Sequence, residues 1–410
     1  MAEEYSPSPP PLTPPLTEEE RLFWLRLLRS RRVGVSTFFR LMAEHGSAEA
    51  ALTALPDVAQ KAGVSGYEPF SRAAAEAELE AGRKAGAALL AFGEPAYPPR
   101  LAEIPDPPPL LWAIGDPKLA QRPTVALVGA RNASSLGTRM ARKVAATLGA
   151  SGAVTVSGLA RGIDTAVHAA SLGSGTIAVL AGGVDVVYPQ ENAVLAQEIG
   201  EKGLLLSEAP LHLRPQARHF PARNRLISGL ASAVVVIEAA AKSGSLITAR
   251  AALDQGREVF AVPGHPFDAR AAGCNTLIRD GALLVRGTRD IEDALAAQPQ
   301  PANAAACKAP AQLQQATGAP EDRAKMIDAS DTTRAVSPPS SPAMPSPRSL
   351  RDTADLHRRI LDRLGPSPLA EDQLIRDLSL SASTVTPAIL ALELDGKVHR
   401  AAGGLISRTS

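Results

Sequence analysis

Basic and aromatic side chains are concentrated in one short segment of the sequence, residues 211–225 (LHLRPQARHFPARNR). The segment carries four arginines and two histidines without an acidic residue, and Phe220 lies among them in a chain that is only 3% aromatic. Guanidinium groups can neutralise a phosphate backbone, and an aromatic ring can stack on a base. This combination favours a groove for single-stranded nucleic acid over the alternative, a solvated basic loop with Phe220 packed in the core.

Two further segments have the composition of phosphate-binding turns. Gly129-Ala130-Arg131-Asn132-Ala133-Ser134 follows one apolar run and Lys242-Ser243-Gly244-Ser245 follows another, each just before a predicted helix. The free N–H groups and positive dipole of a helix N-terminus suit a phosphate. Neither turn has the G-x-G-x-x-G or the G-x-x-x-x-G-K-[ST] pattern, and each alone is equally compatible with an ordinary turn and helix cap. Two such turns at one sheet edge strengthen the interpretation as a binding site.

A third turn, residues 157–164 (SGLARGID), contains Arg161 and leads to His168. We expect Asp164 to be the N-cap of the following helix. His168 could be catalytic, but no Ser or Cys nucleophile lies at a recognisable spacing, so a structural or hydrogen-bonding role is favoured. No paired carboxylates, Cys/His arrangement or metal-ligand spacing stands out in the sequence, which therefore predicts no catalytic residue, metal or cofactor.

Short runs rich in Val, Ile and Leu predict the strands that position these turns. The six runs are residues 124–129, 153–158, 176–183, 203–208, 233–238 and 258–264. Stretches of helical length separate them, at residues 136–150, 164–172, 190–200, 222–231 and 245–255. Continuous apolar strands that alternate with helices are typical of a parallel sheet covered on both faces. The predicted fold class is therefore α/β, a doubly wound parallel sheet, and ligands should bind beyond the carboxyl ends of its strands.

The remaining sequence divides into segments of different composition. Thr17-Glu18-Glu19-Glu20 resembles a capping box that opens a helix, and further helices are predicted from residue 34, at 47–55 and at 71–87. Three helical patterns and a hairpin-like ending at 398–408 fit a winged helix. The predicted organisation is a disordered Pro-rich tail (1–16), a small helical domain with a connecting helix (17–88), the α/β core (89–296), a flexible Ala/Pro/Ser linker (297–350) and a winged-helix module (351–410).

Charge and cysteine content exclude several classes of protein. The 410 residues include 43 Lys+Arg and 42 Asp+Glu, a net charge of +1, yet residues 122–290 alone carry 18 and 12, a net +6. A basic surface for a polyanionic partner would therefore be confined to one part of this protein. Only Cys274 and Cys307 are present, which excludes a disulfide framework and a Cys-based zinc site. Without a signal-peptide pattern or an apolar run of about 18 residues, we expect a soluble cytoplasmic protein.

The motifs across residues 96–282, taken in order, resemble those of the DprA/Smf family of DNA-processing proteins. They are AYPPRLAEIPDPPPLLWAIGD (96–116), VALVGARNAS (125–134), VSGLARGIDTAVH (156–168), TIAVLAGGVDVVYP (176–189), HFPARNRLISGLA (219–231), EAAAKSGSLITARAALDQGREVFAVPG (238–264) and GCNTLIRDGA (273–282). The flanking helical domain, of SAM or helix-hairpin-helix type, and the winged helix match the family's layout. The resemblance implies an extended Rossmann-like fold and a non-enzymatic mediator that binds and protects single-stranded DNA. It also implies a homodimer formed through the core and loading of the RecA recombinase during natural transformation.

The resemblance also implies roles for individual residues, with Arg131 contacting DNA and Phe220 meeting a base. The predicted DNA-binding residues are Arg131, Arg161, Arg218, Phe220, Arg223, Asn224, Arg225, Lys242, Ser243, Gly244 and Ser245, with Gly129, Ala130, Asn132 and Ser134 as a phosphate-cradling turn. Some family members have a Lys three residues before the Phe. This chain has Ala217 there, so Arg218 is the candidate to supply that charge.

An alternative function on the same kind of sheet is a nucleotide-processing enzyme similar to the lysine-decarboxylase-like phosphoribohydrolases. Those enzymes need P-G-G-x-G-T followed by a Glu, whereas this chain reads IEAAAKSGSLITA at the corresponding strand. The sequence therefore favours the binding protein.

The predicted winged helix carries little charge for gripping DNA. Residues 351–410 contain eight Lys+Arg and eight Asp+Glu, and residues 381–396 contain no basic side chain. A helix that reads DNA should present Lys or Arg to phosphates and base edges. We therefore hypothesise that this module contacts protein or regulates the core.

Overall fold

The computed structural model describes residues 13–296 continuously and parts of 360–408. It contains two compact units, Met1–Ala316 and Thr317–Ser410. No helix among the described residues is both long and apolar enough to span a membrane. The predictions for residues 1–12 and 297–359 lie outside the described residues.

Four helices form the N-terminal part of the first unit. They are α1 (Glu18–Arg29), α2 (Val35–His45), α3 (Ala48–Lys61) and α4 (Arg72–Lys84). The predicted capping box is confirmed, because the Thr17 side chain accepts from Glu20 N and the Glu20 side chain accepts from Thr17 N. Leu25, Leu27, Phe38 and Leu41 are fully buried between the helices. Amphipathic periodicity thus fixes both the existence of these helices and the faces that they bury.

A nine-stranded sheet forms the rest of the unit. Its strands are β1 (Ala88–Ala91), β2 (Leu110–Gly115), β3 (Thr124–Val128), β4 (Val154–Ser157), β5 (Thr176–Val179), β6 (Leu204–Ser207), β7 (Ala233–Val236), β8 (Glu258–Ala261) and β9 (Leu283–Leu284). Their order across the sheet is β1-β2-β6-β5-β4-β3-β7-β8-β9. All six predicted strands are confirmed, and they pair in parallel.

The sheet is not parallel throughout. β1 and β2 pair antiparallel with each other, and β2 pairs antiparallel with β6. These two strands were not among the predicted ones, and they add an antiparallel edge to the predicted doubly wound parallel sheet. The run Leu110–Gly115 is apolar enough for a buried strand, but it follows three prolines, which obscured the pattern.

Helices cover both faces of the sheet, as the continuous apolar strands predicted. The helices are α5 (Pro99–Ala102), α6 (Ser135–Ala150), α7 (Ile163–Ser171), α8 (Ala193–Lys202), α9 (His219–Leu230), α10 (Ser245–Asp254), α11 (Ala272–Arg279) and α12 (Thr288–Ala296). Alternate β3 residues pack in different clusters: Val125 and Leu127 pack with α6 and α7, while Ala126 and Val128 pack with α9 and α10. The period of two along a strand explains this division.

The order of the strands creates a crevice at the carboxyl end of β3. From β3 the chain passes through β4, β5 and β6 on one side and then returns to β7 on the other side of β3. Connections that leave neighbouring strands in opposite directions open a gap between them, where ligands bind in sheets of this kind. The two predicted phosphate-binding turns follow β3 and β7, so the topology places both at this gap.

The second unit contains a small antiparallel sheet of β10 (Leu369–Ala370), β11 (Val398–Ala401) and β12 (Leu405–Arg408). The predicted hairpin is confirmed by the pairing of β11 with β12. Its apolar cluster contains Ile360, Leu374, Val385, Ile389 and Leu392.

Candidate nucleic-acid interface

A cleft of about 880 Å³ opens at the carboxyl ends of β3 and β7, and we refer to it as the main cleft. Its walls are the turn after β3, the turn after β7 and the first turns of α9. Most predicted site residues line it: Gly129, Ala130, Arg131, Asn132, Phe220, Arg223, Asn224, Lys242, Ser243, Gly244 and Ser245. Segments separated by more than 100 residues in sequence therefore meet at one site.

The lining of the main cleft is basic. Arg131, Arg223, Lys242 and Arg270 lie along it, and Asp164 is its one carboxylate among the described residues. Arg131 and Lys242 are exposed, whereas Asp164 is buried. A cleft with positive walls and little competing negative charge attracts a polyanion.

Phe220 is the second residue of α9, and its half-buried ring faces the main cleft. The Arg131 guanidinium carbon lies 5.1 Å from the ring centroid, and that of Arg223 lies 5.8 Å from it. The ring also meets Tyr188 edge to face, with centroids 5.9 Å apart. Because Phe220 lines the cleft, the alternative of a core-packed phenylalanine is wrong.

Arg223 forms part of the floor of the main cleft. It is 5% exposed and donates from Nη1 to the carbonyl oxygens of Gly158 (2.6 Å) and Val179 (2.5 Å). Burial lowers the pKa of its guanidinium to about 10, a shift that Asp164 opposes and Arg131 increases. Gly158 has no side chain, which is what leaves room for this guanidinium. Arg223 thus ties α9 to the ends of β4 and β5 while its positive charge lies beneath the cleft.

The helix N-terminus after β7 is open. Gly244 is the N-cap of α10 and no side chain caps the helix. Ser243 and Ser245 join their hydroxyl groups at 2.8 Å, and Asn224 donates to Gly244 O at 3.4 Å. Ser245 N donates to Ser243 Oγ at 3.4 Å, and Leu246 N and Ile247 N donate to the carbonyl oxygens of Ser243 and Gly244, so no carboxylate accepts from these N–H groups beside Lys242. An anion is the natural ligand for such a helix end.

The helix N-terminus after β3 is closed instead. Glu238 accepts a hydrogen bond from Ser134 N at 2.9 Å and another from the Ser134 hydroxyl at 2.5 Å. Ser134 Oγ in turn accepts from Gly137 N at 2.9 Å as the N-cap of α6. A carboxylate already occupies the positive end of this helix. Glu238 therefore occupies the groups with which Ser134 was predicted to cradle a phosphate, while Gly129, Ala130 and Asn132 remain at the cleft.

Arg225, which was also predicted to bind DNA, lies outside the main cleft. Its guanidinium contacts the Glu208 carboxylate at 2.5 Å and donates to Asp106 O at 2.6 Å. Arg225 comes two positions after Arg223 in α9, a rotation of about 200°, so its side chain points away from the cleft. Arg225 joins α9 to the segment before β2.

Arg218 and Arg161 lie near the main cleft without lining it. Arg218 is exposed and its Nε donates to His219 Nε2 at 3.2 Å. Arg161 is exposed, pairs with Glu191 at 2.6 Å, and lines a smaller adjoining cavity. These contacts do not show whether either arginine binds DNA, so both remain predicted DNA-binding residues.

The buried carboxylate of Asp164 holds the turn after β4 in place. Asp164 is not the N-cap of α7, which is Gly162, and its carboxylate accepts from Gly158 N (3.2 Å) and Ala160 N (3.3 Å). Burial raises the pKa of Asp164, and the Arg223 guanidinium opposes that shift. The expectation of a capping Asp164 is therefore wrong, and the residue braces the loop that precedes the helix.

His168 is a buried structural residue. Its Nδ1 is 2.8 Å from Thr176 Oγ1, and burial lowers the pKa of its imidazole to about 3. Among the residues that the structure describes, no cluster of His, Cys, Asp or Glu is arranged to hold a metal ion. Cys274 is buried, and burial raises the pKa of its thiol to about 11, while Cys307 lies outside the described residues.

Sequence reasoning missed two residues of the main cleft, Tyr188 and Arg270. Tyr188 is 50% exposed, an unusual position for a large aromatic side chain. Arg270 follows β8 by nine residues and pairs with Asp268 at 3.1 Å. Tyr188 could have been found, because it follows a predicted strand in a chain that is poor in aromatic residues.

Three family models match the chain in sequence order. Residues 88–296 match the model of DNA recombination-mediator protein A, residues 18–81 the DprA-like N-terminal HHH domain, and residues 344–404 the DprA winged helix domain. The matches follow the order of helical part, core and C-terminal module that the sequence predicted.

Curated relatives and a crystal structure agree with those matches. Protein Smf of Synechocystis is 32% identical over 406 residues, covering 95% of this chain and 98% of the relative. The DNA processing protein DprA of Bacillus subtilis is 44% identical over 220 residues, covering 53% of this chain and 74% of the relative. The X-ray structure of DprA from Streptococcus pneumoniae is similar with a TM-score of 0.53 and 35% identity, over 68% of this chain and 93% of that one.

Proposed function

The chain belongs to the DprA/Smf family of DNA recombination mediators, and from this premise we propose that it binds single-stranded DNA along the main cleft. The observation that carries the proposal is the aromatic ring of Phe220 beside the Arg131 guanidinium, in a cleft whose walls are basic. A base-stacking surface next to phosphate-neutralising charge is the arrangement that sequence-tolerant single-strand binding requires.

The phosphates bind at two positions in this proposal. One phosphate lies at the N-terminus of α10, where the positive end of the helix dipole and Lys242 neutralise it and no acidic residue lies in the first turn. A second lies at the turn after β3, where Arg131 is exposed. The closed N-terminus of α6 takes no part, because Glu238 would repel the phosphate. Arg223 adds charge from below without a direct contact.

The base stacks on the face of Phe220 that opens to the main cleft. Arg131 lies near the ring in the free protein, at a distance typical of a cation–π contact. An exposed contact of this kind is worth roughly 0.5–1 kcal/mol, less than the roughly 1–3 kcal/mol of a stacked base. The base therefore displaces the guanidinium, which moves toward the phosphate.

The remaining family properties are also part of the proposal. We propose that the chain has no catalytic activity, acts in the cytoplasm as a homodimer formed through the core, and loads RecA onto single-stranded DNA during natural transformation. Residues 89–296 form the DNA-binding part, flanked by the helical domain (17–88), the linker (297–350) and the winged helix (351–410). Glu238, the carboxylate that follows β7, already accepts hydrogen bonds from Ser134 at the N-terminus of α6. It is therefore not free to act on a substrate, which supports binding over nucleotide hydrolysis.

Fluorescence anisotropy with single- and double-stranded oligonucleotides across a salt series tests the proposal. We expect a preference for the single strand and a slope of log affinity against log salt of about −0.7 for each neutralised phosphate. Phe220→Ala should weaken binding by about 1–3 kcal/mol and leave that slope nearly unchanged, because the ring contributes no charge. Addition of RecA to the same mixtures tests the loading.

Three results would contradict parts of this function. Equal affinity for single and double strands would remove the stacking argument, as would a Phe220→Ala variant that binds like the wild type. Release of free base from nucleoside monophosphates at enzyme-like rates would favour the phosphoribohydrolase alternative.

A further inference from the structure

We propose a second nucleobase site beside Phe220, in which Tyr188 stacks on the base that neighbours the one on Phe220. The proposal rests on the proposed function, since it assigns a position to the next nucleotide of the same strand. Tyr188 lies outside every segment from which the DNA-binding residues were predicted.

The site is a cavity of about 190 Å³ that adjoins the main cleft, and we call it the side slot. Its walls include Tyr188, Pro189, Phe220, Arg131, Arg161 and Asn132. Arg131, Asn132, Tyr188 and Phe220 also line the main cleft, so the two spaces share a wall. A strand that places one base in the main cleft can therefore place the next in the side slot.

The two rings are oriented to serve two bases. Tyr188 and Phe220 meet at an interplanar angle of 60°, with their centroids 5.9 Å apart. In such an edge-to-face pair one ring directs its edge at the other, and the remaining faces point in different directions. Two consecutive bases of a single strand can each find a face, because the backbone of a single strand allows neighbouring bases to unstack.

The exposure of Tyr188 is the observation that points to a ligand. The other described tyrosines are buried, and each donates its hydroxyl hydrogen to a carbonyl oxygen, Tyr67 to Arg31 and Tyr97 to Pro108. Tyr188 is 50% exposed, and its hydroxyl has no hydrogen-bond partner within the part of the chain that the structure describes. An apolar ring with a polar tip in this position gains free energy when a flat ligand covers it.

The polar groups of the side slot fit a nucleotide. Asn132 is exposed and offers both donors and an acceptor to the edge of a base. Arg161 pairs with Glu191 at 2.6 Å, but both side chains are more than half exposed. Such surface pairs are worth little, so a phosphate can compete with Glu191 for the guanidinium. The slot thus supplies a stacking face, a base-edge contact and a phosphate contact.

The loop that carries Tyr188 is held in place at both ends. Before it, the Asp185 carboxylate accepts from His212 N at 2.9 Å. After it, Asn192 donates to Leu159 O at 2.9 Å and to Thr165 Oγ1 at 3.0 Å. The side slot is therefore formed before DNA binds, and little conformational entropy is lost when a base enters.

An abasic scan on the full-length protein tests the second site. The probe is the shortest oligothymidylate that binds with full affinity, with a single abasic position moved along it. For the wild type we expect two adjacent positions where loss of the base weakens binding on the order of 10-fold. Tyr188→Ala should weaken the intact probe by a similar factor and remove the sensitivity at one of these positions only. Phe220→Ala should remove it at the other.

Two further variants complete the test. Tyr188→Phe keeps the stacking face and should restore the sensitivity that Tyr188→Ala loses. Phe267→Ala removes a ring that is 94% exposed but lines neither the main cleft nor the side slot, so it should leave both positions sensitive.

The outcomes distinguish the second site from the proposed function. An unchanged scan in Tyr188→Ala would overturn the second site while leaving binding at Phe220 intact. Loss of sensitivity at both positions in Tyr188→Ala would also overturn it, because the ring would then only hold Phe220 in place. A wild-type protein that binds no oligothymidylate would instead overturn the proposed function.

Discussion

Three arginines near Phe220 have their guanidinium groups in different surroundings. Arg131 is exposed beside the ring, Arg223 is buried against backbone carbonyl groups, and Arg225 is paired with Glu208 on the far side of α9. The basic segment that first indicated nucleic-acid binding therefore contains charges with different purposes. Helical spacing causes the difference between Arg223 and Arg225, since α9 directs them to different sides, whereas Arg131 lies in the turn after β3.

This division predicts which substitutions change the salt dependence of DNA binding. Lys242→Ala should make the slope of log affinity against log salt less steep by about 0.7, because one phosphate loses its partner. Arg225→Ala should leave that slope unchanged and lower the free energy of unfolding by about 2 kcal/mol, since it leaves the half-buried Glu208 without its hydrogen-bonded cation. Anisotropy across salt and urea denaturation measure the two quantities. The assignment is wrong if Arg225→Ala flattens the slope as much as Lys242→Ala does.

His168 predicts a pH dependence of stability. Burial lowers the pKa of its imidazole to about 3, against 6.5 in an exposed histidine. The folded protein therefore keeps His168 neutral while the unfolded chain takes up a proton below about pH 6.5, so stability is lost as pH falls through that value. Between pH 7 and pH 5 this single group should cost about 2 kcal/mol.

The control for this prediction is His168→Gln, which cannot titrate in this range. Asp164, whose pKa burial raises, and Arg223 lie near His168, and both are present in wild type and variant, so their contributions cancel in the difference. The stability of the variant, measured by urea denaturation at pH 7, 6 and 5, should fall less steeply than that of the wild type. Parallel curves would show that His168 is not the titrating group.

At the scale of elements, the joint between the helical part and the sheet relies on close packing. Gly82 lies in α4, where a Cβ atom would overlap ring carbons of Trp112. Trp112 Nε1 donates to Glu78 at 3.1 Å, and Arg29 donates to the same carboxylate at 2.8 Å. The indole ring is therefore fixed by a hydrogen bond and cannot move away from α4 without breaking it.

Gly82→Ala should destabilise the protein by about 1–3 kcal/mol, because the added methyl group overpacks the contact with Trp112. Helix propensity alone gives the opposite sign, a gain of up to about 1 kcal/mol. Gly200→Ala in α8 is the matched control, since its Cβ would meet Ile114 at an ordinary 3.4 Å. The midpoint temperatures of thermal unfolding of the two variants test this prediction. A Gly82→Ala protein as stable as the control would show that the added methyl group does not overpack the contact with Trp112.

Elements with a strong local signal could be predicted from the sequence. The capping box at Thr17 and the six apolar parallel strands are local patterns, and the structure has them. The order of those strands depends on long-range pairing, which no local pattern shows, and β2 was missed because three prolines precede it. Within the site, Glu238 closes α6 although Ser134 lies 104 residues away, and no local pattern could show which of two similar turns stays open. The same holds for Arg225, whose partner Glu208 is brought to it by the fold.

At the scale of the whole molecule, the near-zero net charge is an average over unlike parts. Residues 122–290 carry a net +6, and the basic lining of the main cleft lies within them. Residues 351–410 carry eight basic and eight acidic side chains, a net charge of zero. Affinity for a polyanion follows the local charge that neutralises phosphates, so it should depend on the core and hardly at all on the C-terminal module.

Deletion of residues 351–410 should therefore leave the affinity for single-stranded DNA within about threefold of the full-length value, with the same salt slope. Anisotropy at fixed salt measures the affinity, and thermal unfolding checks that the shortened chain is folded. Arg376→Glu in the full-length protein is a companion variant, because Arg376 is the one basic residue in 370–396. A module that grips DNA through residues 370–396 should lose affinity on charge reversal, whereas one that contacts protein should not. Loss of most of the DNA affinity in either variant would show that the winged helix binds DNA despite its neutral sequence.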